Sequence, residues 1–293
     1  MRTFAQQYSE ICTRLQNSSV KFEVQSTVSS KLAVAYELCN QHFEFDCSTG
    51  ISVYSNQNSR ATPIKFVLAE FLWILSGSRS LQEIVHWNRN MSKYSDDGLI
   101  LNGAYGYRLQ PQLSFLIEKL KQDKNSRQAC VAIYQCNDVM ISTKDVPCNC
   151  LLQFLIRDNQ LNLIVTARSI DAVTGLSIDA IHWQFLLHLV CQSLKQVFSE
   201  LMPGILCYNI GSLHVYGSDK EQFDQWDLNN DIRYNLKLDA QETLENLTTR
   251  AQNFECAKTL EDLLAIYKFN TQTLDDVYEL AVIFKNREFK VAR

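Results

Sequence analysis

The sequence predicts a mixed α/β protein in which helices flank a sheet. Segments with apolar residues at helical spacing alternate along the chain with short strand-like segments. An apolar fraction of 46% over 293 residues supplies a sizeable core, and nine glycines with four prolines leave little material for elaborate loops. We therefore expect long regular elements packed in layers.

Helices are predicted where apolar residues recur every three or four positions. The segments with this pattern are residues 4–15, 64–76, 81–95, 111–120, 178–198, 260–269 and 274–284. The helix over 64–76 has the clearest limits, because Pro63 suits a first turn and Gly77 suits a helix end. Ser80-Leu81-Gln82-Glu83 matches a capping box, and Pro111 is placed at the start of its helix.

Strands are predicted from short apolar and aromatic patches bounded by polar or glycine residues. These patches lie within residues 31–54, 129–136, 150–157, 160–167 and 205–210. Asp158-Asn159 separates two of them by two residues and predicts a tight hairpin turn. Pro203-Gly204 is expected to separate the apolar helix from the strand that follows it.

Composition excludes several classes of protein. With 28 basic and 32 acidic side chains, the net charge of -4 offers no electrostatic footprint for nucleic acid or an anionic membrane. No apolar run reaches the ~18 residues of a membrane span, and no signal peptide is evident, so a cytoplasmic location is expected. The ten cysteines lie mostly in apolar segments, which is typical of reduced thiols rather than disulfides.

Reactive side chains concentrate in four short segments where core packing does not require them. They are the lone carboxylate Glu70 in an apolar helix, Pro147-Cys148-Asn149-Cys150, Ala167-Arg168-Ser169-Ile170-Asp171 with Gly175 and Asp179, and Gly211-Ser212-Leu213-His214-Val215-Tyr216. A carboxylate among apolar residues is costly unless it is paired or its pKa is raised.

Six motifs in order resemble the thymidylate synthase superfamily. They are Glu70-Phe71-Leu72-Trp73, Tyr105-Gly106, Ser126-Arg127-Gln128, Pro147-Cys148-Asn149, Arg168-Ser169-Ile170-Asp171 with Gly175, and Ser212-Leu213-His214-Val215-Tyr216. The resemblance covers roughly residues 60–225. We therefore predict a thymidylate synthase-like catalytic domain over 1–228 and a charged, helix-rich C-terminal extension over 229–293 packed on the same domain.

The resemblance implies a layered fold with a large twisted mixed sheet flanked by helices. It also implies a homodimer in which each site borrows an arginine, and one-carbon transfer from 5,10-methylenetetrahydrofolate to C5 of a pyrimidine nucleotide. The partners expected from it are a pyrimidine deoxynucleoside monophosphate, folate and a second copy of the chain.

Cys148 is the candidate nucleophile for this chemistry. C5 of a pyrimidine reacts poorly until a nucleophile adds at C6, and a thiolate both adds and leaves readily. Positive charge from Arg168 would favour the thiolate. The alternatives are a buried packing role or a zinc site with Cys150, but no second ligand pair is spaced to complete such a site, so no metal is predicted.

The other candidate residues divide between the nucleotide and folate. Arg168 and Ser169 look like phosphate ligands, and Arg127 would reach the same phosphate from the other subunit. His214 and Tyr216 point to one face of an extended segment and suit the sugar 3′-hydroxyl. For the arginines the plainer alternative is a surface salt bridge, and for the histidine it is a core position.

Four residues receive roles from the matched motifs. Glu70 fits a general acid/base that acts through water on the C4 substituent of the base, and Tyr105 belongs to the nucleotide site. The resemblance assigns Asp171, with Gly175, to the pterin of folate. Asp171 bonding its own backbone at a turn is the alternative.

Asp179 stands where thymidylate synthases have an asparagine that binds uracil. Cytosine reverses the polarity of that edge, and a carboxyl group accepts from the 4-amino group while a shared proton bridges to N3. We therefore predict dCMP as the substrate, as in the phage deoxycytidylate hydroxymethylases of the superfamily. A helix cap at Asp179 is the alternative, with dUMP then possible.

The product depends on whether hydride or water reaches the intermediate. Met91 and Tyr94 stand where the family places tryptophans, so water capture and 5-hydroxymethyl-dCMP are predicted. Two alternatives stay open: a C5-methylating enzyme acting on dCMP or dUMP, and a non-catalytic synthase-fold module that binds nucleotide or protein. The second is motivated by the unfamiliar tail that ends at Arg293.

Overall fold

The computed structural model describes residues 2–25, 31–56, 62–228, 231–267, 269 and 271–291. The helices in this part of the chain are α1 Phe4–Gln16, α2 Ile64–Ser76, α3 Leu81–Val85, α4 Tyr105–Gln122, α5 Gly175–Leu194, α6 Gly217–Asp224, α7 Leu244–Ala251, α8 Leu260–Ile266 and α9 Thr271–Val291. The strands are β1 Lys21–Gln25, β2 Leu32–Asp46, β3 Ile51–Asn56, β4 Cys130–Ala132, β5 Asn149–Arg157, β6 Gln160–Asp171, β7 Met202–Tyr216 and β8 Asp231–Leu236.

A six-stranded mixed sheet organises the fold. Its strands lie in the order β1-β2-β7-β6-β5-β4, and β6 with β7 is the parallel pair while the other neighbours are antiparallel. β3 and β8 form a separate two-stranded sheet. Helix α5 packs on β6 and β7, and α1 packs on β2. The predicted layered α/β class with a large mixed sheet flanked by helices is therefore confirmed.

One face of the large sheet is covered by helices and the other is open. Along β6, Leu161, Leu163 and Val165 are buried, whereas Asn162 and Ile164 between them are partly exposed. Alternate residues of a strand point to opposite faces. The partly exposed set is therefore on the side that the described part of the chain leaves uncovered.

The hairpin between β5 and β6 carries an irregularity that matters for the site. Asp158 and Asn159 form the predicted turn with φ of 49° and 56°, the left-handed values that a two-residue hairpin turn requires. At the other end of β5 the register shifts between Asn149 and Leu151, so that Cys150 is an extra residue. Such a bulge reverses the alternation, which turns Asn149 to the buried, helix-covered side of the sheet.

The helix start predicted at Pro111 is wrong, and so is the capping box predicted at Ser80, although α3 does begin at Leu81 with Ser80 as its N-cap residue. Pro111 lies inside α4, which begins at Tyr105, because Gly106 lets the helix approach α2: a Cβ there would lie 2.3 Å from the Ile74 carbonyl oxygen. Ser80 makes no capping hydrogen bond. Its neighbour Leu81 instead donates its N–H to the Leu99 carbonyl oxygen, in a short bridge between two chain segments.

The limits of the β7 region also differ from expectation. Pro203 and Gly204 lie inside β7 rather than before it. They are near the end of the sheet, at the positions where β7 pairs with the start of β6. Proline is tolerated there because few ladder hydrogen bonds are lost at a strand end.

The last part of the chain contacts the rest of the protein. β8 pairs with β3, α7 packs against α2 and α5, and the hydroxyl of Tyr267 donates to the Leu68 carbonyl oxygen at 2.9 Å. The helical patterns over 260–269 and 274–284 are confirmed as α8 and α9. The division of the chain at residue 228 stays a prediction. Within the described ranges, no helix is long and apolar enough to cross a membrane.

Candidate active site

Asp179 projects from inside a helix rather than capping one. Helix α5 begins at Gly175, with Thr174 at the N-cap position, so Asp179 is its fifth residue. The predicted start at Ile178 is three residues late, and the helix-cap alternative for Asp179 is wrong. The carboxylate is free of the helix backbone and available to groups on other elements.

A hydrogen-bonded triad surrounds that carboxylate. The Asn149 side-chain nitrogen donates to Asp179 Oδ2 at 2.7 Å and to the Tyr105 hydroxyl at 2.9 Å. The Tyr105 hydroxyl lies 3.5 Å from the same Oδ2 atom. Three elements, α4, β5 and α5, thus bring one residue each to a single point.

The ionisation of Asp179 is displaced toward neutral pH. Burial raises its pKa to about 7, and the hydrogen bonds from Asn149 and Tyr105 oppose that rise. At neutral pH the group therefore exchanges readily between the carboxylate and the carboxylic acid. It can accept one hydrogen bond and donate another, as the predicted cytosine edge requires.

Cys148 lies beside this triad, directly before β5, and is half-buried. Burial raises the pKa of its thiol to about 11; Arg168 lowers it, while Asp179 and Asp145 raise it. The Arg168 guanidinium is held at this position by the carbonyl oxygens of Pro147 and Val146, each 2.9 Å from a guanidinium nitrogen. The structure therefore brings the predicted nucleophile and its predicted cation together.

Glu70 faces the same region from α2. Burial, followed by the charges of Asp179 and Asp145, raises its pKa well above the usual value. Its Oε2 atom lies 3.8 Å from Nε2 of His182, whose pKa is lowered to about 4 by burial. A neutral histidine gives no ion pair, so Glu70 is suited to hold a proton rather than a charge.

The end of β7 supplies a second polar group. Ser169 Oγ lies 3.3 Å from His214 Nδ1, and the rings of His214 and Tyr216 pack edge to face with centroids 4.9 Å apart. Asp171, on the neighbouring strand, accepts from the backbone N–H groups of Val173 and Thr174 at 3.0 Å. Asp171 therefore holds a turn, as the alternative described above has it, and its pterin role stays a prediction.

Electrostatics identify two further residues at the site. The pKa of Tyr94 is raised by burial and then by the charges of Asp171, Cys148 and Asp145. Asp145 is half-buried, accepts the Gly103 N–H at 2.7 Å, and has a raised pKa because of burial. Sequence reasoning placed Tyr94 in the wall of the site but missed Asp145, because an aspartate before Pro147-Cys148 is not part of the matched motif.

Arg127 is a predicted site residue that this chain holds away from Cys148, and Gly175 contributes no side chain to the site. Arg127 is exposed near β4, and its carbonyl oxygen accepts from Gln153, roughly 15 Å along β5 from Cys148. Gly175 opens α5, and a Cβ there would meet only ordinary contacts. The functional assignments of both residues stay predictions.

One group of three metal-ligating side chains occurs within the described ranges. His42, Glu44 and Cys207 lie on β2 and β7 with ligand atoms within 4.8 Å of one another. Cys148 and Cys150 belong to no such group in that part of the chain. The described residues therefore offer no support for a zinc site built on those two cysteines.

Comparison with known proteins identifies the family. The sequence model of thymidylate synthase matches residues 6–271. The chain belongs to the thymidylate synthase family. Members of this family use methylenetetrahydrofolate as the one-carbon donor. The match extends beyond residue 228, so the family's sequence pattern continues into the segment predicted as an extension.

Two curated phage relatives in the thymidylate synthase family carry the same description. A deoxyuridylate hydroxymethyltransferase of Bacillus phage SP01 is 32% identical over 205 residues, which are 62% of this chain and 51% of the relative. Another, of Pseudomonas phage M6, is 34% identical over 136 residues, 44% of this chain and 39% of the relative. The chain thus spans about half the length of the curated relatives it matches, or less.

Solved thymidylate synthase structures share the fold. The enzyme of T4 phage superposes with a TM-score of 0.66 at 19% identity, covering 83% of this chain and 91% of the other. Thymidylate synthase A of Bacillus subtilis gives 0.64 at 18% identity, covering 83% and 93%. These matches confirm the thymidylate synthase-type fold that the sequence motifs predict.

Proposed function

We propose that the chain transfers a one-carbon unit from 5,10-methylenetetrahydrofolate to C5 of dCMP, with water capture giving 5-hydroxymethyl-dCMP. The observation that carries this proposal is the position of Asp179. Its carboxyl group, with a pKa of about 7, lies within hydrogen-bond distance of Asn149, the residue that follows the candidate nucleophile Cys148. The residue that we expect to recognise the base and the candidate nucleophile thus belong to one site.

The covalent steps begin at Cys148. Its sulfur, as thiolate, bonds to C6 of the pyrimidine, and the C5–C6 electron pair becomes available to form a bond from C5 to the one-carbon unit. Loss of the C5 proton and departure of tetrahydrofolate leave an exocyclic methylene on the base. Water adds to that methylene and the thiolate leaves C6, which restores the double bond without any oxidation or reduction.

The folate position is supported by the chemistry of Asp171. The pterin presents N–H donors, and a carboxylate oxygen accepts such a hydrogen. Asp171 Oδ2 already accepts the backbone N–H and the hydroxyl of Thr174, whereas Oδ1 accepts only the Val173 N–H and keeps capacity for a further donor. Asp171, with Gly175 beside it, would therefore orient the pterin, and the folate would supply a carbon at the oxidation level of formaldehyde.

Hydroxymethyl transfer is favoured over methyl transfer by two observations. The relatives from Bacillus phage SP01 and Pseudomonas phage M6 are described as hydroxymethyltransferases. Tyr94, whose pKa is raised in part by the charge of Cys148, is 42% exposed. A half-open wall gives water a route to the methylene that a closed aromatic wall would block.

Deoxyuridylate is the second candidate substrate. The descriptions of the phage relatives favour it, since both name deoxyuridylate. The carboxyl group of Asp179 favours dCMP, because its protonated oxygen donates to cytosine N3, whereas N3 of uracil carries a hydrogen and has no lone pair to accept that proton. We give the chemistry of the site more weight than the descriptions of the relatives, and we therefore propose dCMP as the substrate.

A product assay tests the proposal. Purified protein is given dCMP, dUMP or CMP with 5,10-methylenetetrahydrofolate, and the products are identified by mass spectrometry. We expect 5-hydroxymethyl-dCMP and no dihydrofolate. A methylated product with dihydrofolate would establish the methylating alternative, 5-hydroxymethyl-dUMP as the main product would establish deoxyuridylate, and no C5–H exchange on either base would favour the binding module.

We further propose a homodimer formed through the open face of the large sheet, in which Arg127 completes the phosphate site of the partner. Arg127→Ala should weaken nucleotide binding by roughly 10- to 100-fold, the effect of one charged hydrogen bond. Mixing inactive Cys148→Ser with Arg127→Ala protein should restore about a quarter of wild-type activity, since one of the two sites in each mixed dimer is then intact.

The complementation result depends on subunit exchange, so the two variants are unfolded and refolded together, and each refolded alone is the control. Activity no greater than the mean of the two separate preparations would contradict sharing of Arg127.

The substrate preference should depend on pH. At a pH below the Asp179 pKa of about 7, the protonated carboxyl group donates to cytosine N3. At a higher pH the carboxylate opposes the lone pair of N3. The preference for dCMP over dUMP, measured as the ratio of their dissociation constants, should therefore fall between about pH 6 and about pH 8. Above the pKa the fall should approach about tenfold for each pH unit. The ratio of the two dissociation constants removes the effect of phosphate ionisation, which is common to both nucleotides.

A further inference from the structure

Asn149 carries a buried acceptor that no group in the described ranges satisfies. The residue is fully buried, and its side-chain nitrogen uses both hydrogens, on Asp179 and Tyr105. Its Oδ1 atom has no hydrogen-bond partner. A buried carbonyl oxygen without a donor costs free energy, so this atom is suited to receive a donor from a ligand.

The two partners fix which way the amide points. Asp179, when ionised, only accepts, so it holds the nitrogen of Asn149 and turns the oxygen away. The Tyr105 hydroxyl, 2.9 Å from the same nitrogen, adds a second contact that favours this orientation of the amide. An asparagine at position 179 could donate to Asn149 and would no longer select one orientation of the amide.

The separation of the two acceptors suits a single amino group. The oxygen and nitrogen of an amide lie about 2.2 Å apart. Since the nitrogen is 2.7 Å from Asp179 Oδ2, Oδ1 of Asn149 lies within about 5 Å of that carboxylate oxygen. An NH₂ group that donates both hydrogens at about 2.9 Å bonds two acceptors about 5 Å apart, which is the upper limit of this separation.

We propose that Asn149 is a second specificity residue, whose Oδ1 atom accepts one hydrogen of the cytosine 4-amino group while Asp179 accepts the other. The inference rests on the proposed function and deepens it. With uracil, O4 would occupy the position of the 4-amino group. This acceptor would face the Oδ1 acceptor of Asn149, and neither oxygen would receive a hydrogen bond. The preference for dCMP is thus divided between two side chains instead of residing in Asp179 alone.

The test compares the dissociation constants of dCMP and dUMP in the absence of folate, for the wild type and for Asn149→Ala. We expect dCMP affinity to fall by about tenfold or more and dUMP affinity not to fall, because the lost contact exists only with cytosine and the lost oxygen opposes O4 of uracil. Ser169→Ala is the matched control: it removes a predicted phosphate ligand and should weaken both nucleotides equally.

Tyr105→Phe is the second variant, in case Asn149→Ala does not fold. It leaves Oδ1 in place but removes one of the two contacts that orient the amide, so it should reduce the dCMP preference less than Asn149→Ala does. Thermal unfolding of each variant establishes that it is folded before its affinities are compared.

The two proposals fail in different ways. If the wild type binds dUMP as tightly as dCMP or more tightly, the proposed substrate is wrong. If the wild type prefers dCMP and folded Asn149→Ala keeps the whole preference while losing affinity for both nucleotides, Asn149 is only structural and this inference is overturned. A fall in the ratio specific to Asn149 and Tyr105 variants supports it.

Discussion

Replacing Cys148 by serine should abolish turnover, with a fall in rate of at least about 1,000-fold. A serine hydroxyl at the same place is a far weaker nucleophile toward C6 and a poorer leaving group afterwards. Both C5 exchange and product formation depend on that addition. The measurement is release of tritium from dCMP labelled at C5, in the presence of folate, together with the product assay.

Cys150→Ser is the matched control for this experiment. Cys150 is also half-buried and lies two residues along the chain, where its thiol contacts the Cys148 carbonyl oxygen at 3.7 Å. We expect this variant to keep most of the activity. Undiminished tritium release from Cys148→Ser, or equal loss in both variants, would contradict the assignment of the nucleophile.

Asp179→Asn should reverse the pyrimidine preference. In the orientation that directs its nitrogen at position 4 of the base, the amide donates to O4 of uracil and accepts from its N3–H, and its oxygen then faces the lone pair of cytosine N3. Each mispaired buried group costs about 1–3 kcal/mol, so two of them change the ratio of kcat/KM values by roughly 100-fold or more. The measurement is kcat/KM for dCMP and for dUMP with wild-type and variant protein.

The same variant provides an internal check through pH. If Asp179 is the titrating group, the dependence of the dCMP preference on pH described above should vanish in Asp179→Asn. An unchanged pH dependence would assign it to another group, such as Glu70, whose pKa is raised by burial and then by the charge of Asp179. A variant that loses activity on both nucleotides without a change in ratio would show that Asp179 does not read the base.

Local patterns in the sequence were sufficient for most of the fold. The helix over 64–76 and the β5–β6 hairpin were predicted because their periodicity and end signals involve neighbouring residues only. The start of α4 was not, because it depends on how closely Gly106 approaches Ile74. No pattern around Pro111 contains that contact.

The candidate site divides in the same way. Cys148 and Arg168 were predicted from short motifs, and the structure brings them together. The role of Asn149 was not predicted, since in the sequence it is only a departure from the histidine of the matched motif. Its contacts with Tyr105 and Asp179 join residues that are 44 and 30 positions away along the chain.

The extra residue in β5 has a consequence for how this protein could diverge. Because Cys150 has no partner of its own on β6, removing it would leave Asn149 opposite Ala167 and Leu151 opposite Thr166 in an uninterrupted ladder, with Asn149 still on the buried side. A single codon deletion at this position would thus make the strand regular while keeping Asn149 on the side of the sheet where Asp179 lies. The chain could therefore differ in length here without moving the proposed specificity residue away from the base.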